Sequence, residues 1–123
     1  MDAEIPKQLQ DKLMQFQNLQ GQMQMVAMQK QQLFLQAADT ENAMKALEET
    51  KEGTKIYKAA GQLVVETNKT DTEKKLKEDK DLIDAKTKMI EKQEKKISEK
   101  LEELRTELQT MMRPPGAGGQ TGG

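Results

Sequence analysis

The sequence predicts a mostly α-helical protein in which two long helices form an antiparallel coiled coil and are joined by one β-hairpin. Apolar residues recur at heptad spacing over two long stretches, and the β-branched and aromatic residues that favour strands are gathered between those stretches. With only 34% hydrophobic and 33% charged residues in 123, the chain also has too few apolar side chains for a deep globular core.

The first helix is predicted from about Lys7 to Glu49, because mostly apolar residues follow one another in alternating steps of three and four. Pro6 suits the first helical turn, where its missing N–H is harmless. The positions of this seam are Leu9, Lys12, Phe16, Leu19, Met23, Val26, Lys30, Leu33, Ala37, Thr40, Met44 and Leu47. The residues that lie beside the seam and widen its apolar stripe are Leu13, Phe34 and Leu35.

A second, stricter seam predicts a helix from about Thr72 to Met112. Its apolar positions are Leu76, Ile83, Ile90, Ile97, Leu104 and Met111, with Leu101 and Leu108 on the partner position. Thr70 and Glu73 have the spacing of a capping box, which predicts the start of the helix there. The ion pairs expected four residues apart on its exposed face are Asp71/Lys75, Glu73/Lys77, Asp84/Lys88 and Glu91/Lys95. Polar residues interrupt the two seams at Lys12, Lys30, Lys80 and Glu94.

The segment between the helices is predicted to be a β-hairpin. Gly53 ends the first helical pattern, and the run from Ala60 to Gln62 separates two short stretches rich in strand-forming residues. Alternation places Leu63 and Val65 on one face and Val64 on the other. A lone hairpin is marginal in water and leaves its edges unpaired, so this one favours association with other chains. The alternative is that the hairpin packs on the ends of its own two helices.

These elements divide the chain into four expected regions. Residues 1–52 form the N-terminal coiled-coil helix, 53–70 the oligomerisation hairpin, 71–113 the C-terminal coiled-coil helix, and 114–123 a flexible Gly-rich tail. Two helices of about 40 residues would each be about 60 Å long, at about 1.5 Å per residue. We therefore expect the helices to pack against each other as a rod.

The composition limits the chemistry of the chain. Cys and His are absent, which removes thiol nucleophiles, disulfides, imidazole bases and the usual zinc ligands, and Gly53 and Gly61 stand alone rather than in a phosphate-binding loop. We expect no enzyme activity, no metal and no cofactor. The net charge of −1 disfavours nucleic acid and anionic membranes. No apolar run approaches the length of a membrane span and the amino terminus is too polar for a signal peptide, so a cytoplasmic protein is expected.

Taken in order, these parts resemble prefoldin subunits of the archaeal-type β class. The resemblance covers about Ile5 to Pro115 and includes a Gln-rich first coil and a charged return coil. Its most specific residues are Ile56-Tyr57-Lys58 and Gly61-Gln62-Leu63-Val64-Val65 in the hairpin, followed by Glu91-Lys92-Gln93-Glu94-Lys95-Lys96-Ile97 in the return coil. The α class of this family inserts two hairpins between its coils, whereas this sequence has room for one.

The resemblance implies a hetero-hexamer of two α and four β subunits, in which the hairpins unite into an oligomeric β-barrel platform. It also implies an ATP-independent molecular chaperone that captures non-native polypeptides at its coiled-coil tips and delivers them to a group II chaperonin. The oligomerisation residues on this interpretation are Ile56, Tyr57, Leu63, Val64 and Val65. The client-binding tip residues are Leu9, Leu13, Phe16, Leu19, Leu101, Leu104, Leu108, Met111 and Met112.

A second hypothesis is a structural coiled-coil tether or scaffold without client binding, because heptads recur in many unrelated proteins. A tether is expected to form a stable dimer with closed helix ends. The methionines do not decide between the hypotheses, since flexible Met side chains suit promiscuous binding surfaces but also fill seams. The methionines in question are Met23, Met25, Met28, Met111 and Met112.

Overall fold

The computed structural model describes residues 6–113, and the predicted Gly-rich tail at 114–123 lies outside the described residues. The elements follow the order α1 (Lys7–Glu48), β1 (Ile56–Ala60), β2 (Leu63–Thr67) and α2 (Lys69–Met112). This confirms the predicted architecture of two long helices joined by one antiparallel hairpin.

Backbone hydrogen bonding at Pro6 and a glycine turn at Gly53 flank the first helix. The amide of Gln10 donates to the carbonyl oxygen of Pro6 at 3.0 Å, so the proline contributes its acceptor and loses nothing by lacking an N–H. At the other end, α1 stops at Glu48. The chain then turns at Gly53, whose φ of +83° is a conformation that favours glycine. A hydrogen bond of 3.1 Å from the Thr54 amide to the Lys51 carbonyl closes this turn.

The second helix begins at Lys69, three residues before the predicted start, and its cap is Asn68 rather than Thr70. The Asp71 amide donates to Asn68 Oδ1 at 2.8 Å, and Asn68 Nδ2 donates to Asp71 Oδ2 at 2.9 Å. This reciprocal pair satisfies an amide that the helix itself leaves without an acceptor. The prediction of a Thr70–Glu73 capping box was wrong, because Asn at the N-cap provides the same interaction two residues earlier.

The apolar core is a narrow seam along the helices. The buried side chains are Val26, Leu33, Leu47, Ile83, Ile97, Leu104 and Leu108, and every one lies at a predicted seam position. No large side chain among the described residues is completely enclosed, which is expected where only two helices share a core. Three predicted seam positions are exposed: Ala37, Met111, and Lys80, whose neighbour Asp79 is half-buried.

The chain divides into two compact units. One contains the described residues up to Met28 together with those from Glu91 onward, and the other is Gln29–Ile90. In the second unit a cavity joins Met44 to Glu73, and another joins Thr40 to Ile83, so higher numbers on α1 meet lower numbers on α2. The helix segments within this unit are therefore antiparallel.

Candidate functional site

The hairpin has a two-residue turn that the sequence specifies. The register pairs Ala60 with Leu63, so Gly61 and Gln62 form the turn, and Ala60 belongs to β1 instead of the turn predicted for it. Gly61 has a φ of +63°, whereas Gln62 does not have a positive φ. Glycine at the first central position is the signature of a type II′ turn, whose twist matches that of the strands it connects.

The register also assigns the hairpin side chains to two faces. Paired residues of antiparallel strands lie on the same face. One face therefore carries Ile56, Lys58, Ala60, Leu63, Val65 and Thr67. The other carries Tyr57, Ala59, Val64 and Glu66. On the first face Ile56 and Thr67 are half-buried at the base of the hairpin, and on the second face every side chain is exposed.

Most of the apolar hairpin side chains are open to solvent. The exposed fractions are 57% for Tyr57, 67% for Leu63 and 70% for Val64, and Val65 is partly exposed. In the described chain the sheet has two strands, so each strand has one edge without a backbone partner. The five residues predicted for oligomerisation thus lie on one small sheet, of which only Ile56 is half-buried against its own chain.

Lys69 forms a hydrogen bond at the base of the hairpin. Its Nζ donates to the Thr50 carbonyl oxygen at 2.8 Å, which connects the start of α2 to the segment that follows α1. Farther along α2, Asp79 accepts a hydrogen bond from Lys75, which raises the pKa of that lysine above its usual value. Lys75 therefore pairs with the acidic residue after it and not, as predicted, with Asp71, which is engaged at the helix cap.

The nine predicted tip residues lie in the unit that contains the two helix ends, but they differ in exposure. Leu104 and Leu108 are buried, at 8% and 7% exposure. The half-buried residues are Leu9, Leu13, Phe16, Leu19 and Leu101. Met111 and Met112 are exposed at the end of α2. The tip is thus closed over its seam, and of the nine predicted residues only the two methionines are exposed.

A cross-helix ion pair accompanies this closed seam. Lys12 Nζ lies 2.7 Å from Glu107 Oε2, where it both donates a hydrogen bond and forms a salt bridge. Lys12 occupies a predicted seam position, and the sequence offered no means of finding its partner, which is 95 residues away. The pair places the start of α1 beside the end of α2.

Sequence reasoning also missed an exposed residue near the tip. Met14 is 62% exposed and lies off the seam of α1. Its position two residues after Lys12 and two before Phe16, both on the seam, was the available signal, because that spacing directs a helical side chain away from the partner helix. Met28, midway between the seam positions Val26 and Lys30, is exposed for the same reason, and Met25 is exposed as well. Met23, in contrast, is half-buried on the seam.

The described residues contain no group of acidic side chains arranged to hold a metal ion. Neither helix in residues 6–113 has an apolar stretch long enough to cross a membrane.

The fold and its exposed hairpin define a class of protein: a coiled-coil subunit with one hairpin between its helices. The profile of the family described as "Prefoldin subunit" matches residues 10–114. Among curated relatives, the "Prefoldin subunit beta" of Thermococcus onnurineus is 40% identical over 110 residues, which covers 89% of this chain and 95% of that protein. The "Prefoldin subunit beta" of Pyrococcus furiosus is 40% identical over 117 residues, covering 93% and 97%.

A solved structure agrees with this match. The crystal structure of the prefoldin beta subunit from Thermococcus strain KS-1 superposes with a TM-score of 0.82 at 35% identity, covering 93% of this chain and all of the other. The chain belongs to the prefoldin subunit family, as its sequence had suggested.

Proposed function

We propose that this chain is an ATP-independent molecular chaperone subunit that captures unfolded polypeptides at its helix ends and delivers them to a group II chaperonin. It acts in the cytoplasm as part of a hetero-hexamer of two α and four β subunits. The observation that carries the proposal is the exposed apolar hairpin, since a β subunit needs such a surface to join a larger assembly.

Physical chemistry supports assembly through the hairpin. Leu63, Val64 and Tyr57 leave much of their apolar surface in water, and each strand has an edge able to pair with another strand. Burial of apolar surface contributes about 25 cal/mol per Å², so covering several copies of this hairpin at once favours a closed barrel. The alternative in which the hairpin caps its own helices is disfavoured, because Leu63 and Val64 remain exposed.

Client binding is assigned to the helix ends because apolar residues from both helices are gathered there. A buried apolar side chain contributes about 1.5–3 kcal/mol, less the loss of conformational entropy when a client is ordered. One tip would therefore bind weakly. Several tips on one platform would engage the same polypeptide together, and multivalency raises the overall affinity without any tight single contact.

The proposal is tested by mixing the chain with a candidate α-class subunit. Light scattering on a sizing column should give one discrete hexamer for the mixture and smaller or heterogeneous species for this chain alone. The hexamer should suppress aggregation of a denatured test protein, and ATP with magnesium should leave that suppression unchanged. A closed hexamer formed by this chain alone, or a mixture that does not protect the client, would contradict the proposal.

One observation favours the tether hypothesis: Leu104 and Leu108 are buried, so the helix ends are closed. A tether needs closed ends and no client. The same sizing experiment separates the two functions, because a tether should be a stable dimer that is indifferent to the α-class subunit.

A further inference from the structure

At the tip, where the start of α1 meets the end of α2, most of the apolar side chains proposed to bind a client are covered. Leu104 and Leu108 are the most deeply buried of the nine tip residues, and four of the leucines and Phe16 are half-buried. A client cannot reach Leu104 and Leu108 while the two helices cover them, although Met111 and Met112 are already exposed. If Leu104 and Leu108 take part in client binding, the seam between the helix ends must open first.

Lys12 lies where that opening would occur. Its Nζ contacts Glu107 Oε2 at 2.7 Å, and the Lys12 and Glu107 side chains are 32% and 50% exposed to solvent. The pair joins the two helices across the seam, and its flanking seam residues are Leu9 and Phe16 on α1. A leucine at position 12 would have made the seam continuously apolar here, whereas a lysine replaces part of the hydrophobic closure with an ion pair that water and salt can weaken.

We propose that the Lys12–Glu107 ion pair is an electrostatic latch, which adds to the stability of the closed helix ends and whose release shifts the equilibrium toward open ends that present Leu104 and Leu108 to an apolar segment of a non-native polypeptide. The inference rests on the proposed client-binding function and adds its controlling step. Exposed ion pairs are weak, so the latch biases the open–closed equilibrium by a factor of up to about five and does not lock it. A bias of that size suits a tip that must open repeatedly.

The helix dipoles have little effect on the charges of Lys12 and Glu107. Lys12 is beyond the first turn of α1, which begins at Lys7, and Glu107 precedes the last turn of α2, which ends at Met112. Dipole interactions fall off within the first and last turns. Reversing either charge therefore leaves the interaction with the helix dipoles almost unchanged.

The test uses amide hydrogen exchange on the full chain, read out at residues 8–19 and 101–112. Lys12→Glu and Glu107→Lys should each raise the exchange rate there by about fivefold, because each places like charges together. The double variant, Lys12→Glu with Glu107→Lys, restores an opposite pair and should return the rates to within about twofold of wild type. Glu102→Lys is the matched control, because Glu102 pairs at 3.7 Å with Arg105 on its own helix and should leave the α1 rates unchanged.

Client capture is then measured with the same variants in the assembled complex, by light scattering of a denatured test protein. Each single reversal should lower the complex concentration needed for half-maximal protection by a few fold, and the double variant should restore it. Unchanged exchange in the single variants, or no recovery in the double variant, would overturn the latch. If the reversals change the amide exchange rates but not the protection of the test protein, the proposed link between latch release and client capture would be overturned. If wild type protects no client while exchange still follows the predicted pattern, the proposed function fails and the latch stands.

Discussion

Lys69 Nζ donates a hydrogen bond of 2.8 Å to the backbone carbonyl oxygen of Thr50, so one side chain at the start of α2 holds the main chain that leaves α1. The contact lies at the base of the hairpin, where the chain must pass out of one helix and back into the other. Lys69 is half-buried, which shields the contact from competing water.

Removing this contact should loosen the base of the hairpin. Lys69→Met keeps the aliphatic stem but loses the donor, and we expect a loss of about 1 kcal/mol in the free energy of unfolding. Thermal or urea unfolding followed by circular dichroism measures the effect. Lys74→Met, at an exposed position of the same helix, is the control and should change stability little. Equal effects for the two variants would mean that the Thr50 contact contributes nothing specific.

The N-cap of α2 makes a second prediction. Asn68→Ala should lower stability by about 1 kcal/mol, because the Asp71 amide loses its acceptor. Thr70→Ala should have a much smaller effect, although the sequence pattern pointed to Thr70 as the cap. The same unfolding experiment compares the two variants. A larger loss for Thr70→Ala would contradict the observed cap.

The proposed assembly surface is tested by Leu63→Asp combined with Val65→Asp. The two residues share one face of the hairpin, and burying unpaired carboxylates costs several kcal/mol in each copy. We expect the double variant to remain helical but to form no hexamer with an α-class subunit on a sizing column. Gln62→Asp adds charge in the turn and should assemble normally. A normal hexamer from the double variant would remove the hairpin from the interface.

The location of client binding is tested by truncation. Removing Met1 to about Gln17 and the residues after about Lys100 deletes most of the tip residues and keeps the hairpin with the seam of the other unit. Assembly should persist on the sizing column, whereas protection of a denatured test protein should fall sharply, because multivalent binding declines steeply when every arm is weakened. A truncated hexamer that protects as well as wild type would place the binding site elsewhere.

A milder variant addresses the same site without shortening the chain. Leu9→Ser, Phe16→Ser and Leu108→Ser in one chain should reduce client protection at matched hexamer concentration. The control carries three serines at the exposed apolar positions Phe34, Leu82 and Met89 in the other unit. If the control loses protection and the tip variant does not, the client binds along the coil surface.

Much of the fold could be predicted because coiled-coil packing depends on spacing. A residue such as Val26 or Ile97 is buried because its place in the heptad directs it to the partner helix, and that place is counted from the sequence alone. The hairpin could also be predicted from the sequence, since Gly61 supplies the positive φ that its two-residue turn requires. Both predictions depend on local rules. They needed no knowledge of distant contacts.

The candidate sites were only partly predictable. Sequence identified Leu104 and Leu108 as apolar tip residues, but whether they are open or covered depends on how the two helix ends meet. Likewise, Thr70 and Asn68 both offer a capping oxygen, and the choice between them depends on where the strand Leu63–Thr67 ends and the helix can start.

The sequence by itself therefore determined the helical seams, the single hairpin and the absence of Cys and His chemistry, because each follows from residue type and local spacing. The tertiary structure alone decided that the tip is closed and that Lys12 meets Glu107. The physical reason is that the heptad pattern of apolar residues defines the apolar face of each helix, whereas the partner of a charged side chain depends on the axial register of the two helices. That register emerges only when both seams pack together.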